Sequence, residues 1–285
     1  MTTEQELHKA VTANAEDDAA RLAYADFIAG LDADRATFIR RQVAEAQKDR
    51  ANRGTYARHP GTDPLLREHE QTWARTIAKY AREWTFDRGF ITEIVIDPYL
   101  FLEYGEWLLT NEPIRFVKFL APEDGDPFPM QELSRSPLLA RLNGIGFLAS
   151  TITDTDLLLL VDSPQLAHMV SISASRKHVE LSVFEAFAAS PVTRKLLSLD
   201  LSREAFPGEQ FGETGRLDRW DGSVWDWLPM GREGHELERK YGYIPWLHHS
   251  ENRCHQFDAA YFVAKGELPV RSPGAPVPPE RPEAK

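Results

Sequence analysis

Several features are scarce or missing in this 285-residue chain, and each absence argues against a class of protein. A single cysteine, Cys254, leaves no internal disulfide framework and predicts a reducing, cytoplasmic environment. The first residues lack a basic segment followed by an apolar one, so we expect no signal peptide. The longest apolar run, residues 157–161, is far too short to span a bilayer, so we expect no membrane association.

Basic side chains are also outnumbered, with 33 lysines and arginines against 44 acidic residues and a formal charge of −11. Nucleic acids and anionic membranes require clustered basic residues, so neither is expected as a partner. No glycine-rich phosphate loop is present, and the acidic residues are too scattered to assign a general acid–base pair. The sequence therefore implies no cofactor and gives little support for an enzyme.

A six-residue pattern of apolar positions, L-x-x-L-x-L, is present at solenoid spacing. Successive copies are separated by 23, 28, 27 and 27 residues, within the period range of leucine-rich repeats. The copies begin at Ile91, Ile114, Leu142, Met169 and Leu196. This spacing predicts an α/β leucine-rich-repeat solenoid, with parallel strands on its concave face and helices on its convex face.

Two further columns repeat at the same interval. The dipeptide Ser-Pro occurs at residues 136, 163 and 190, and Leu157 and Leu160 lie 27 residues before Phe184 and Phe187. Between the strand motifs, helical spacing of apolar residues predicts helices over 99–109, 154–161 and 182–189. Each unit would then contain a strand, a turn, a helix and a return, and would bury its apolar face only against its neighbours.

The chain before the repeats is predicted to be helical. Thr3 with Glu6, then Asp17, and then Asp32 or Asp34 are suited to cap three successive helices. Residues 52–64 are rich in turn formers and predict a connector. A further helix is expected to carry Leu65, Leu66, Trp73, Ile77, Tyr80 and Trp84 on one face, before a turn at residues 87–89.

Two segments of this region carry a resemblance to a known family. Residues 17–27, DDAARLAYADF, and 34–42, DRATFIRRQ, resemble the repeat-companion domain, a bacterial segment that precedes leucine-rich repeats. Residues 84–90, WTFDRGF, resemble the junction before the first repeat. With the repeats, the resemblance covers about residues 3–206. It implies an interaction protein and supplies no catalytic residues.

These observations divide the chain into five segments. We expect a helical repeat-companion segment over 1–50, a connector and capping helix over 51–89, and repeat units over 90–206. Residues 207–264 contain Trp220, Trp225, Trp227 and Trp246, and are expected to form an irregular aromatic cap. The proline-rich tail, residues 265–285, is expected to be disordered.

The exposed columns of the repeat strands are the main candidate binding surface. Residues that alternate with the core positions point to the opposite face of a sheet. The two columns contain Glu93, Phe116, Gly144, Ser171 and Ser198, and then Val95, Lys118, Gly146, Ser173 and Asp200. Their middle is small, so the backbone of a protein or peptide partner could approach closely. The alternative is a polar sheet face with no function.

Five polar residues of the N-terminal helices allow two interpretations. Arg21, Tyr24, Asp26, Arg35 and Arg40 could form a docking site for a peptide or a phosphate. They could equally form an ion-pair lattice that joins two helices, with Asp26 bound to Arg35 for instance. We favour the ion-pair lattice, because structural pairs order such residues as readily as functional sites do.

A second hypothesis for function rests on the C-terminal histidines. His248, His249, Cys254 and His255, with His235 upstream, could bind zinc or provide a cysteine nucleophile and its base. Their spacing matches no familiar zinc pattern, and adjacent residues rarely supply nucleophile–base geometry. A polar loop is therefore the favoured interpretation. The alternative function is an enzyme or zinc-binding protein with its site around His248, Cys254 and His255.

Overall fold

The protein has an α/β fold built on one six-stranded sheet. The computed structural model describes residues 3–52, 63–122, 126–148, 152–174, 179–193, 196–201 and 232–246. The sheet order follows the chain, and all strand pairs are parallel except the first, which is an antiparallel hairpin. The strands are β1 (Ala81–Asp87), β2 (Phe90–Ile96), β3 (Phe116–Phe119), β4 (Gly144–Phe147), β5 (Ser171–Ala174) and β6 (Ser198–Asp200).

The described residues before the sheet form four α-helices: α1 (Glu4–Ala13), α2 (Asp18–Ile28), α3 (Ala33–Asn52) and α4 (Pro64–Trp73). Their predicted caps are confirmed, since Thr3 and Glu6 form a capping box, Asp17 accepts from the start of α2, and Asp32 accepts from the backbone of Arg35. Three of these helices have a small core distinct from that of the sheet, in which Phe90 of β2 is buried with Val11, Ala25, Ile28, Ile39 and Val43.

The β1–β2 hairpin corrects the expectation of a long fourth helix. Helix α4 ends at Trp73, and Trp84 lies in β1, where it pairs with Ile94. Pairing with β1 satisfies backbone groups of β2 that a helix would leave exposed at a sheet edge. The predicted turn at 87–89 is confirmed, with positive φ angles of 48° at Arg88 and 85° at Gly89. A Cβ at position 89 would collide with Ile39, so this turn requires glycine.

The prediction of parallel strands after residue 90 is confirmed. From β3 onward each strand begins two residues after its predicted start. The first apolar residue of each six-residue pattern therefore lies before the hydrogen-bonded part of the strand. The expected helices are also present as α5 (Pro98–Asn111), α7 (Asp154–Val161) and α8 (Leu181–Ala189). Helix α6 (Met130–Arg135) lacked a sequence prediction. The helices and one sheet face share a continuous apolar core.

The repeated Ser-Pro dipeptides have a structural role at the turns that lead into the strands. Each serine hydroxyl accepts from a backbone N–H two residues on, at 3.2–3.4 Å. The Ser163 hydroxyl also donates to the carbonyl of Ser134, and Ser190 donates to the carbonyl of Val161 at 3.1 Å. The bonds donated by Ser163 and Ser190 each reach a carbonyl 29 residues earlier in the chain, so they occupy equivalent positions.

A last described helix, α9 (Arg232–Tyr241), packs on α8. Leu237, Ile244 and Trp246 are buried there, and the ring of Trp246 lies 6.2 Å from that of Phe184. Trp220, Trp225, Trp227 and the proline-rich tail lie outside the described residues. Among the helices that the structure describes, none combines the length and apolar character needed to cross a bilayer.

Candidate functional site

The two columns predicted from the strand motifs are aligned across the sheet. Glu93 is opposite Phe116, and Gly144, Ser171 and Ser198 follow in register on the next strands. The second column runs in the same way through Val95, Lys118, Gly146, Ser173 and Asp200. The fold therefore brings all ten residues together on one face, although only the backbone of Asp200 is described.

This face is less open than the sequence suggested. Val95, Phe116 and Ser171 are buried, whereas Lys118, Ser173 and Ser198 are partly exposed. A Cβ on Gly144 would lie 2.5 Å from Cδ1 of Phe116, so the phenyl ring occupies the room above that glycine. The small residues at the first column's centre thus accommodate a neighbouring side chain, which corrects the expectation that they leave space for a partner.

The second column retains polar groups near the surface. Nζ of Lys118 lies 3.0 Å from Oε1 of Glu93, which joins the two columns with an ion pair. A Cβ on Gly146 would lie 2.8 Å from Oγ of Ser173 and 3.0 Å from Cγ of Lys118. Gly146 therefore permits the approach of these two side chains, and its φ is not positive.

The five residues of the predicted N-terminal polar cluster lie in three different places: a surface ion pair, a buried set of backbone contacts, and the wall of a cavity. Arg40 pairs with Asp26 at 2.7 Å on the surface, so the expected pair of Asp26 with Arg35 is wrong. Arg21 is fully buried and donates to backbone carbonyls of Ala15, Asp87 and Arg88. Burial lowers its pKa to about 10, so Arg21 remains charged at neutral pH.

Arg35 instead lines a cavity of about 240 Å³ between the N-terminal helices and the sheet. Its walls are drawn from α1, α2, α3, α4, β2 and the end of α5, and include His8, Tyr24, Arg35, Trp73, Phe90 and Glu112. The guanidinium carbon of Arg35 lies 4.8 Å from the ring centroid of Trp73 and 5.7 Å from that of Phe90. The cavity thus combines aromatic walls with a few ionisable groups.

The ionisable groups of this cavity have shifted pKa values. Burial raises the pKa of Glu112 to about 7, against the opposing effects of Arg35, the Ile91 N–H and Arg21. Burial likewise lowers the pKa of His8 and raises that of Tyr24 to about 12, with Glu4 contributing to the latter. The Tyr24 hydroxyl donates to Glu4 at 3.2 Å. Such shifts are common at functional sites.

Most of this cavity was missed by reasoning from the sequence. Arg35 and Tyr24 were recognised as polar helix residues, but His8, Trp73 and Glu112 carried no motif. Glu112 follows α5 and accepts from the backbone N–H of Ile91 at 3.0 Å, so its position depends on the pairing of distant segments. The single available signal was the acidic residue at the end of an apolar helix, where a cation is usually preferred.

The proposed zinc or nucleophile site at His248, Cys254 and His255 lies outside the described residues, as does His249. Within the ranges that the structure describes, no group of three or more histidine, cysteine or acidic side chains could hold a metal ion. Comparisons of the chain with family models, with curated proteins and with solved structures find no match.

Proposed function

We propose that this chain is a leucine-rich-repeat solenoid of the repeat-companion type that binds a protein partner without catalysis. The occupant would be an extended peptide segment of the partner, lying across the concave face of the sheet. The observation that carries this proposal is the register of the five strands, which places equivalent side chains in two continuous columns. Repeating units of this kind commonly bind along the face that their strands form.

The second column is the better part of this surface for a peptide. Neighbouring strands lie about 4.8 Å apart, so Lys118 on β3 and Ser173 on β5, with Ser198 of the first column on the adjacent β6, would present polar groups along a bound segment. The ammonium of Lys118 and the hydroxyl groups can donate to peptide carbonyls. Phe116 and Val95 lie on the same face but are buried, so they would pack beside the polar groups instead of contacting the peptide.

Substitution of Ser173 by tryptophan tests the proposal. Proteins captured from the native cytoplasm would first be identified, and the affinity of a purified partner would then be measured by calorimetry. We expect Ser173→Trp to abolish binding while the melting transition persists, because the indole would cover the second column. Gly146 is less suitable, since even a Cβ there would meet Ser173 and Lys118.

The matched control is Leu158→Trp, which adds an indole to the exposed side of α7. This control should bind the partner as the parent does. Equal affinity in both variants would show that the sheet is not the binding surface. The competing enzyme or zinc hypothesis has its own test, because stoichiometric zinc that disappears on mutation of Cys254 would favour it.

A further inference from the structure

The cavity around Arg35 contains two buried ionisable groups, Arg35 and Glu112, that are not paired with each other. Arg35 and Glu112 are each 8% exposed, and the described residues include no carboxylate in an ion pair with Arg35. Nη1 of Arg35 is buried without a hydrogen-bond partner. An unpaired buried charge costs several kcal/mol, so a native protein usually supplies a partner from within or from a ligand.

The aromatic rings around Arg35 do not replace such a partner. The guanidinium lies 4.8–5.7 Å from the centroids of Trp73, Phe86 and Phe90, which attract its charge. A ring face is a much weaker acceptor than an anionic oxygen, and the fork of guanidinium N–H groups matches a carboxylate with two parallel bonds. The unpartnered Nη1 therefore points to a ligand that carries a carboxylate.

Glu112 shows the complementary requirement. Among the described residues its carboxylate accepts from the Ile91 N–H, which leaves most of its acceptor capacity unused. Glu4 and Asp32 also border the cavity, so a ligand with negative charge alone would face three carboxylates and one arginine. An additional ammonium group would relieve that repulsion and donate to Glu112.

We propose that this cavity binds a free α-amino acid with an apolar side chain. The ligand carboxylate would bind Arg35, its ammonium would bind Glu112, and its side chain would contact Trp73 and Phe90. The volume of about 240 Å³ is below the usual range of about 300–1,000 Å³ for drug-sized ligands, so it suits a small metabolite. The site is separate from the sheet columns and extends the proposed function with a small-molecule ligand.

Calorimetric titration of the full chain tests the proposal with leucine and phenylalanine as probes. Two analogues of leucine each lack one charge: 4-methylpentanoate has no ammonium, and 3-methylbutylamine has no carboxylate. We expect each analogue to bind at least about 30-fold more weakly than leucine, since a buried charge loses its partner. If neither amino acid binds at millimolar concentration, or if 4-methylpentanoate binds as tightly as leucine, the proposal is overturned.

Three variants locate the binding site. Arg35→Met and Glu112→Gln should each lower the affinity for the more tightly bound of the two amino acids by at least about 30-fold. Arg40→Met is the matched control on the same helix, because Arg40 is exposed and pairs with Asp26 outside the cavity. Unchanged affinity in either cavity variant would overturn the assignment.

Further variants separate folding and the sheet from ligand binding. If Arg35→Met does not fold, Arg35→Lys keeps the charge but loses the bidentate geometry, and it should still weaken binding. Ser173→Trp should keep the parental affinity for the amino acid. The proposed amino-acid site and the proposed peptide-binding surface can therefore be refuted separately. A loss of amino-acid binding in Ser173→Trp would place the ligand on the sheet and overturn the cavity site.

Discussion

Nη1 of Arg21 lies 3.0 Å from the carbonyl oxygens of both Asp87 and Arg88, and this contact joins α2 to the turn of the β1–β2 hairpin. The same guanidinium donates to Ala15 through Nε and Nη2. The side chain of Arg88, within the same turn, pairs with Glu16, Asp18 and Asp87 at 2.8–3.1 Å. The N-terminal helices are thus bound to the first strands through buried polar contacts.

Replacement of Arg21 should strongly destabilise the fold. We expect Arg21→Met to lower the free energy of unfolding by about 3–5 kcal/mol, because three buried carbonyls lose their donors and the carboxylates near Arg88 lose a counter-charge. Urea denaturation would measure the change. Arg40→Met should cost less than about 1 kcal/mol, since its pair with Asp26 is exposed to solvent. Comparable losses in the two variants would contradict the structural role of Arg21.

The ionisation of Glu112 should make stability depend on pH. Its pKa in the folded protein, about 7, is above the ordinary value of 4.5, so the folded state retains its proton over that interval. The contribution of Glu112 to the free energy of unfolding should therefore be greatest below pH 4.5 and should fall as the pH rises through 7. The groups that act on it are Arg35 and Arg21 as cations and the Ile91 N–H, and the titratable groups that line the same cavity are His8, Tyr24, Glu4 and Asp32.

A difference measurement isolates this effect. Other groups also titrate in the interval, and the lowered pKa of His8 acts in the opposite sense below pH 6.5. The stability of the parent minus that of Glu112→Gln should decrease between pH 4.5 and 8 when both are measured by urea denaturation. A difference that is flat with pH, or that increases, would show that Glu112 is not buried as a protonated carboxyl.

Leu199 tests which face of β6 is packed against the core. Its side chain is 4% exposed and belongs to the continuous core beneath β6. Leu199→Ala should lower the free energy of unfolding by about 2–5 kcal/mol through the cavity that it creates. Leu158→Ala, on the exposed side of α7, should change it by less than about 1 kcal/mol. An unchanged melting temperature for Leu199→Ala would place residue 199 outside the core.

The hydrogen bonds donated by the serines of the Ser-Pro dipeptides provide another test. Ser163→Ala removes a hydroxyl that accepts from Gln165 and donates to the carbonyl of Ser134. We expect a loss of about 1–3 kcal/mol, because the carbonyl is left unsatisfied in a buried position. Ser182→Ala, at an exposed position of α8, is the control and should have little effect on thermal unfolding. Equal melting temperatures would show that the Ser-Pro dipeptides act only through proline.

Local signals in the sequence were sufficient to predict most helices and strands after residue 90. Helices α5, α7 and α8 and strands β3–β6 follow apolar periodicity, and the capping residues Thr3 and Asp17 act on their own helices. Such features depend on neighbours in the chain, so a single sequence carries them. The regular spacing of the Ser-Pro dipeptides was evident in the sequence, whereas the hydrogen bonds that Ser163 and Ser190 donate could be seen only in the structure.

Tertiary structure decided the features that depend on distant partners. Trp84 suits a helix or a strand by spacing, and it lies in β1 because β2 offers an edge to pair with. The ring of Phe116 fills the room above Gly144, which no spacing rule predicts. The Arg35 cavity likewise exists only because α1, α3, α4 and the end of α5 meet there. Periodicity determines which face of an element is apolar, whereas packing between elements determines which polar groups remain buried without partners.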